Sequence, residues 1–517
     1  MELESALRGT LYLLVAILTP IFISVVRQYL PRPKSEPPLV FHWLPIIGNA
    51  IEYGTDPFNF YRRCREKHGD IFTFVLLGKQ MTVCLGPEGN EFVLNGRVSD
   101  VNAEDIYAPL TTPVFGSDVV YDCPNAKLME QKKFVKFGLT QRAFESYVPL
   151  IEHEVLEYLS SARFFSGASS GRVNVSAAMA EITIFTAGRA LQGAEVRRKL
   201  TAEFAELYHD LDMGFQPINF LIPWAPLPQN RRRDAAHLKM RYVYMELIND
   251  RRKSADNKGI EGYDEEPDMI SNLMSCVYKN GQPIPDKEIA NMMITLLMGG
   301  QHSSSSASAW IILRLASQPN IAEELYEEQR RILGSITTDK PLSLADLDQL
   351  PLLSNVIKET LRVHSSIHSL MRKVMQPIAV PGTDYVITPD KTLVASPIVS
   401  HMSTEHFRDP DRWDPHRWDG QQHADANDPD DIVDYGYGAT SKGTRSPYLP
   451  FGAGRHRCIG EKFAYLNLAT IILTIVRNLK LRTLDGTASV PPTDYTSLFS
   501  RPVQSAEVLW ERRQPGS

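Results

Sequence analysis

Residues 451–460 read Phe-Gly-Ala-Gly-Arg-His-Arg-Cys-Ile-Gly, the most informative ten residues of the chain. Cys458 lies just before a run of helical periodicity that begins near Ile459. The positive end of a helix, together with Arg455 and Arg457, favours a thiolate over a thiol. Gly452, Gly454 and Gly460 let backbone approach a flat cofactor closely. A single cysteine is more often an inert buried thiol. A dinucleotide-binding loop is a further alternative, but Gly452-Ala-Gly454 lacks the third glycine and a preceding strand.

The rest of the composition narrows the class. The chain has 517 residues, 43% of them hydrophobic, enough for a large core. Its net charge of -6 argues against a nucleic-acid partner. The cysteines Cys64, Cys84, Cys123, Cys276 and Cys458 are few and scattered, with no C-x-x-C pair, which fits a reducing, cytosol-facing compartment. At the N-terminus, residues 7–26 read LRGTLYLLVAILTPIFISVV, with Arg8 the single charge. That length suits a bilayer, and Arg27, Arg32 and Lys34 after it place the following chain in the cytosol. No small-residue cleavage site follows, so a removed signal peptide is disfavoured. Pro31, Pro33, Pro37 and Pro38 make a stiff spacer. The expected division is a membrane anchor over 1–30, a Pro-rich linker over 31–50 and a catalytic domain over 51–517.

Two segments read as hairpins, 71–86 around Gly78 and 377–396 around Pro389-Asp390. Most of the remainder is helical in pattern, over 145–160, 176–192, 197–211, 235–252, 286–317, 320–333, 352–363 and 459–478. Residues 419–446 are polar and read as a surface insertion. The Arg231–Arg233 run reads as a solvated face. Within 286–317, which opens at Asp286 as a plausible N-cap, the sequence GGQHSSSS from Gly299 to Ser306 puts the weakest helix formers at the centre. Glycine costs up to about 1 kcal/mol there and serine roughly half that. Such a local conflict marks a functional site, or a close helix–helix contact.

The 451–460 loop resembles the cysteine-ligand loop of the cytochrome P-450 superfamily, at Phe451, Gly454, His456, Cys458 and Gly460. Glu359-Thr-Leu-Arg362 resembles the E-x-x-R pair of the same superfamily, with Arg417 in Asp-Pro-His-Arg-Trp at the place of its third member. Three features narrow the resemblance to the fungal sterol 14α-demethylase family. They are Tyr107-x-x-Leu110-x-x-Pro113-x-Phe115-Gly116-x-x-Val119-x-Tyr121-Asp122, the following CPNAKLMEQKKF, and Gly299-Gly-Gln-His302-Ser303 where the wider superfamily has an acid and a threonine. Residues 432–450 resemble the filamentous-ascomycete branch.

The resemblance implies a mainly α haem-thiolate monooxygenase fold with a small β region and an N-terminal transmembrane helix. It implies haem b with its iron on Cys458, propionate contacts from Tyr107, Tyr121, Lys132, Arg372 and His456, and proton delivery through His302 and Ser303. Cationic and hydroxyl donors are suited to carboxylates. It implies a sterol pocket lined by Tyr107, Phe115, Tyr121, Phe220, His302, Ile367, Ser369 and Leu498, with Glu359, Arg362 and Arg417 as structural support. Ordinary core packing is the alternative for the apolar members, and a solvated helix face for Lys132. The implied reaction is oxidative removal of the 14α-methyl group of lanosterol or 24-methylenedihydrolanosterol, in three O2- and NADPH-dependent steps of ergosterol biosynthesis. No flavin or nicotinamide motif is present, so electrons are expected from a separate NADPH-linked reductase, with cytochrome b5 as a further donor. Azole inhibitors are expected ligands, and a single-pass endoplasmic reticulum location is implied. An oxygenase for another lipid, and a sterol carrier without turnover, are the rival readings; a carrier needs no thiolate.

Overall fold

Packing, not propensity, holds the helix Asp286–Ser317, which runs 32 residues straight through Gly299–Ser306. Met292, Met293 and Leu297 before the weak stretch, and Trp310 to Leu313 after it, are buried. Each such side chain contributes about 1.5–3 kcal/mol on burial, which exceeds the glycine and serine deficits. Pro285 rather than Asp286 takes the N-cap position, so Asp286 sits in the first turn, where its charge complements the helix dipole.

The structure is a computed structural model that describes residues 2–200, 202–220, 222–258, 268–334, 341–419, 442–497 and 499–514. The expected insertion at 419–446 falls mostly on residues 420–441, outside the described residues. The chain forms two units, Met1–Ile106 with His368–Phe407 and Thr440–His456, and Tyr107–Ile367 with Arg408–Ala439 and Arg457–Ser517.

The first unit is built on a five-stranded sheet in the order Ile71–Leu76, Lys79–Cys84, Lys391–Ala395, Leu370–Val374, Val101–Asn102. The 71–86 hairpin forms as expected, Ile71 opposite Cys84 through Leu76 opposite Lys79. The 377–396 hairpin does not. Lys391–Ala395 instead pairs in parallel with Lys79–Cys84 and antiparallel with Leu370–Val374. Every residue of that strand is buried, so it needs partners on both edges; the local hairpin is Ile378–Ala379 with Val386–Ile387. The spacer is also partly ordered: Val40 N–H donates to Thr73 O at 2.7 Å and Asn49 N–H to Val75 O at 2.7 Å. The helix Glu2–Tyr29 is tied to this unit by Gln28, whose amide exchanges bonds of 2.9 and 3.0 Å with the His42 backbone. Among the described residues no helix is long and apolar enough to cross a membrane.

The second unit is mainly helical, around an apolar cluster that includes Leu110, Val114, Phe215, Tyr244, Met293 and Leu297. A three-stranded sheet, Ser170–Asn174, Glu507–Arg512 and Leu479–Thr483, covers one edge. Glu104–Phe115 is helical despite Pro109 and Pro113, each of which costs roughly 3 kcal/mol inside a helix. Local preference therefore gave no helical signal there.

Within this unit the Glu359 carboxylate is buried and takes five donors. Arg362 Nε and Nη2 lie at 2.9 and 2.8 Å, Arg417 Nε at 2.9 Å, the Asp414 N–H at 2.9 Å and Trp418 Nε1 at 3.0 Å. Both Glu359 and Arg362 are fully buried. Removing one partner of such a pair costs about 3–5 kcal/mol, because a charge is left uncompensated. We expect Glu359→Ala to lose that amount, read as a fall in the urea midpoint. Arg417→Lys, which keeps a charge at a less buried position, should lose less; an equal loss would overturn this ranking of the two groups.

Candidate active site

Cys458 precedes the helix Glu461–Asn478, with Gly460 at the N-cap position. The Gly460 N–H, Lys132 and Arg457 draw the thiol pKa down, yet burial outweighs them and pushes it up, with Glu461 adding to the rise. Arg457 is engaged by Glu461 at 2.8 and 3.1 Å, and desolvation penalises the anion. The cysteine is nevertheless exposed as a whole. In the first unit Gly454 has φ +66°, and a Cβ there would lie 2.3 Å from Leu94 O. Only glycine fits.

On the helix Asp286–Ser317, Gly299 is exposed, between buried Met298 and half-buried Gly300, and a Cβ there would meet no heavy atom within 4 Å. The hydroxyls of this stretch serve backbone: Ser303 Oγ donates to Gly299 O at 3.2 Å, Ser305 Oγ to His302 O at 3.1 Å and Ser306 Oγ to Ser500 O at 2.7 Å. His302 stacks on Phe499, with ring centroids 5.2 Å apart and 11° between planes. Its Nε2 lies 3.2 Å from Asp212 Oδ1 without the alignment of a hydrogen bond. Burial lowers the His302 pKa; Asp212 opposes the shift and Arg501 adds to it. Asp212 carries no sequence signal of its own: it is one of two aspartates in His209-Asp-Leu-Asp212, 90 positions before His302.

In the second unit Tyr107 and Tyr121 stack at 5.1 Å and 30°, and Lys132 is close enough to lower the Cys458 pKa. Phe115 lies against Phe215 at 5.7 Å, and Ile367 is half-buried. In the first unit Arg372 is buried and donates to Met371 O at 2.8 Å, while His456 Nε2 is 3.8 Å from Glu104 Oε1. Ser369 is buried, and its hydroxyl is held by Tyr53 at 3.0 Å, Tyr61 at 2.8 Å and His368 Nδ1 at 2.8 Å. That hydroxyl fixes an aromatic wall rather than standing ready for a ligand. The side chain of Phe220 and the whole of Leu498 lie outside the described residues.

These features fit a haem. The second unit alone supplies the sulfur of an exposed cysteine, hydroxyl donors in Tyr107 and Tyr121, a cationic donor in Lys132, and at Gly299 a helix position where a Cβ would meet nothing. Cys458 would hold the iron, which would take the place of the thiol proton.

The Cytochrome P450 family profile matches residues 37–510. Sterol 14-alpha demethylase CYP51A of Gibberella zeae is 64% identical over 504 residues, 98% of each chain. Sterol 14-alpha demethylase cyp51A of Aspergillus fumigatus is 62% identical over 514 residues, again 98% of each. Eburicol 14-alpha-demethylase of Penicillium italicum is 59% identical over 508 residues, 96% of each. A solved structure, retinoic acid bound cyanobacterial CYP120A1, superposes with a TM-score of 0.75 at 20% identity, covering 93% of this chain and 100% of that one; it speaks for the fold.

Buried His368 has its pKa pushed down to about 4. In the unfolded chain it takes up a proton near pH 6.5, and in the folded chain only near 4. Stability is therefore untouched above about pH 7 and falls as pH drops through that window, by about 2 kcal/mol at pH 5. We expect the wild-type urea midpoint to fall between pH 7.5 and pH 5 by more than that of His368→Asn. Equal falls in the two proteins would remove His368 as the source.

Proposed function

This chain belongs to the cytochrome P450 family, and from that premise we propose that it is a sterol 14α-demethylase. The reaction is removal of the 14α-methyl group of lanosterol or 24-methylenedihydrolanosterol in three O2- and NADPH-dependent oxygenations, with release of formate and formation of the 14,15 double bond, in ergosterol biosynthesis. The observation that carries the reading is the 64% identity to a sterol 14-alpha demethylase over 98% of both chains. The sequences Tyr107–Asp122 and Gly299–Ser303 support the same branch.

When bound, the haem iron supplies O2 activation for insertion of oxygen at a C–H bond. The remaining work falls to the chain. Cys458 holds the iron, and Tyr107, Tyr121, Lys132, Arg372 and His456 hold the propionates. Burial keeps His302 neutral near physiological pH, so its Nε2 can carry a proton in exchange with Asp212, whose side chain is 21% exposed. Ser303 Oγ, one position on, is a second proton carrier. Phe115, Phe220, Ile367 and Leu498 supply apolar wall to the sterol, and Ser369 orders the aromatic wall of the first unit. Glu359, Arg362 and Arg417 act as structural support.

Electrons come from NADPH through a separate reductase, with cytochrome b5 as an additional donor, and azoles are the expected inhibitors. Residues 1–30 anchor the chain in the endoplasmic reticulum membrane with the catalytic part, 51–517, in the cytosol. Residues 31–50 link the two, Leu39 pairing with Thr73 and Gly48 with Leu76.

The purified protein, supplied with reductase, NADPH and either sterol, should yield the 14-demethylated diene and formate. Product that retains the 14α-methyl group would place the chain among oxygenases of other lipids. Cys458→Ala should lose the red-shifted Soret band of the ferrous–CO form; a normal band would move the ligand elsewhere.

Deletion of residues 1–30 should release the protein from membranes, at least in part, and leave haem content unchanged. The Gln28–His42 bonds lost with the deletion are few. Loss of haem from a soluble truncation would contradict the modular division.

A further inference from the structure

The turn that carries Tyr121 is strained. Gly116, Asp118 and Val120 all have positive φ, at +93°, +69° and +54°. Aspartate tolerates that region, whereas a β-branched valine there is an outlier. Such backbone persists only where its surroundings over-determine it, and here they do. Asp122 Oδ2 accepts from the Asp118 N–H at 2.9 Å and its Oδ1 from Thr112 Oγ1 at 3.0 Å. Asn291 Nδ2 donates to Ser117 O at 2.9 Å, and a Cβ on Gly116 would fall 2.4 Å from the Asn291 side chain.

The tie at the centre of the strained residues comes from the helix Asn125–Lys136. Gln131, 3% exposed, donates Nε2 to Asp118 O at 2.8 Å and to Tyr278 Oη at 3.1 Å. Tyr278 Oη donates to Glu288 Oε2 at 2.7 Å. Glu288 Oε1 pairs with Lys127 Nζ at 2.9 Å, and Lys127 Nζ lies 3.8 Å from Asp118 Oδ1. The loop closes on itself, from Asp118 through Gln131, Tyr278, Glu288 and Lys127 back to Asp118, and every member belongs to the second unit. It joins the strained turn, the first turn of the helix Asp286–Ser317, and the helix whose next residue is Lys132.

We propose that Gln131 is a positioning residue, which through this closed ring of hydrogen bonds and ion pairs holds the 116–120 turn in its strained form and so sets where Tyr121 stands relative to Lys132. The proposal rests on the reading that Tyr121 and Lys132 serve the same bound group. Gln131 touches neither that group nor the substrate. Its role is to make one turn conformation the only one available, and preorganised donors are worth most when nothing must move to use them.

The test compares Gln131→Leu, Tyr121→Phe, Val120→Gly and their pairwise combinations in the full-length protein. The first readout is hydrogen exchange of the amides from Gly116 to Asp122, which needs no turnover. Gln131→Leu should speed exchange there by about tenfold or more, and Tyr278→Phe, a gentler variant that removes one bond on either side of the phenol, should do so by less. Val120→Gly added to Gln131→Leu should restore protection in part, because glycine takes positive φ without strain. A packing defect alone would give unchanged or additive effects, and either result overturns the proposal.

The second readout is the Kd of 4-phenylimidazole from its Soret shift. Tyr121→Phe should weaken binding in wild type by about tenfold, yet add less than about threefold in the Gln131→Leu background. Losses that simply multiply overturn the proposal. If wild type itself shows no shift, the proposed function fails, while the exchange readout still decides the role of Gln131.

Discussion

The second unit depends on one carboxylate. Glu359 is an anion removed from water, a loss that costs several kcal/mol unless its lone pairs are used. Five donors use them, two on Arg362 and one each on Arg417, Trp418 and the Asp414 backbone. The two cations then extend the hold. Arg362 Nη2 reaches Arg412 O at 3.1 Å, while Arg417 reaches Arg408 O at 2.6 Å, Asp409 O at 3.3 Å and Arg412 O at 2.9 Å. A stretch with neither long helix nor strand, passing through Asp409 at φ +46°, is thereby fixed by guanidinium bonds to its own carbonyls. Arg314 belongs to the same field. Burial lowers its pKa to about 10 against the pull of Glu359, and its Nε donates to His364 at 3.0 Å, with Trp310 stacked on that imidazole at 3.7 Å.

The Asp286–Ser317 helix shows the same priority of tertiary over local terms. Its weakest formers sit where the cofactor and oxygen chemistry are proposed. Larger side chains at Gly299 would fill the space that its bare backbone leaves. The serines keep the helix intact by bonding carbonyls, and Ser306 reaches outside the helix to Ser500, which fixes the segment after Phe499 and with it the ring stacked on His302.

Much of this was legible in the residues. The main helices and the first hairpin follow from periodicity and turn residues; the Cys458 loop and the Glu359–Arg362–Arg417 set are what the family resemblance implies. What was not legible is non-local. The partner of Lys391–Ala395 is chosen by burial on both edges, a property of the finished sheet. The Glu104–Phe115 helix contradicts its own prolines. Asp212 beside His302, and Gln131 beneath Asp118, are single polar residues whose meaning lies in what folds against them. Ser369 could be placed near a ligand by resemblance, but Tyr53 and Tyr61, more than 300 positions earlier, claim its hydroxyl.

Burial also sorts the ionisable groups by what they are free to do. His302, His364 and His368 are all pushed toward the neutral form by desolvation. Among the buried charges, Glu359 is paired with Arg362, and Glu288 with the half-buried Lys127. His364 and His368 are spent on bonds to Arg314 and Ser369, whereas His302 keeps a carboxylate close but unaligned, an arrangement that a small shift of the ring can make or break. Cys458 is the complementary case. Its anion is disfavoured by the same desolvation, yet Gly460, Lys132 and Arg457 already oppose that penalty. A cation at the sulfur therefore meets a site that only the proton has to leave.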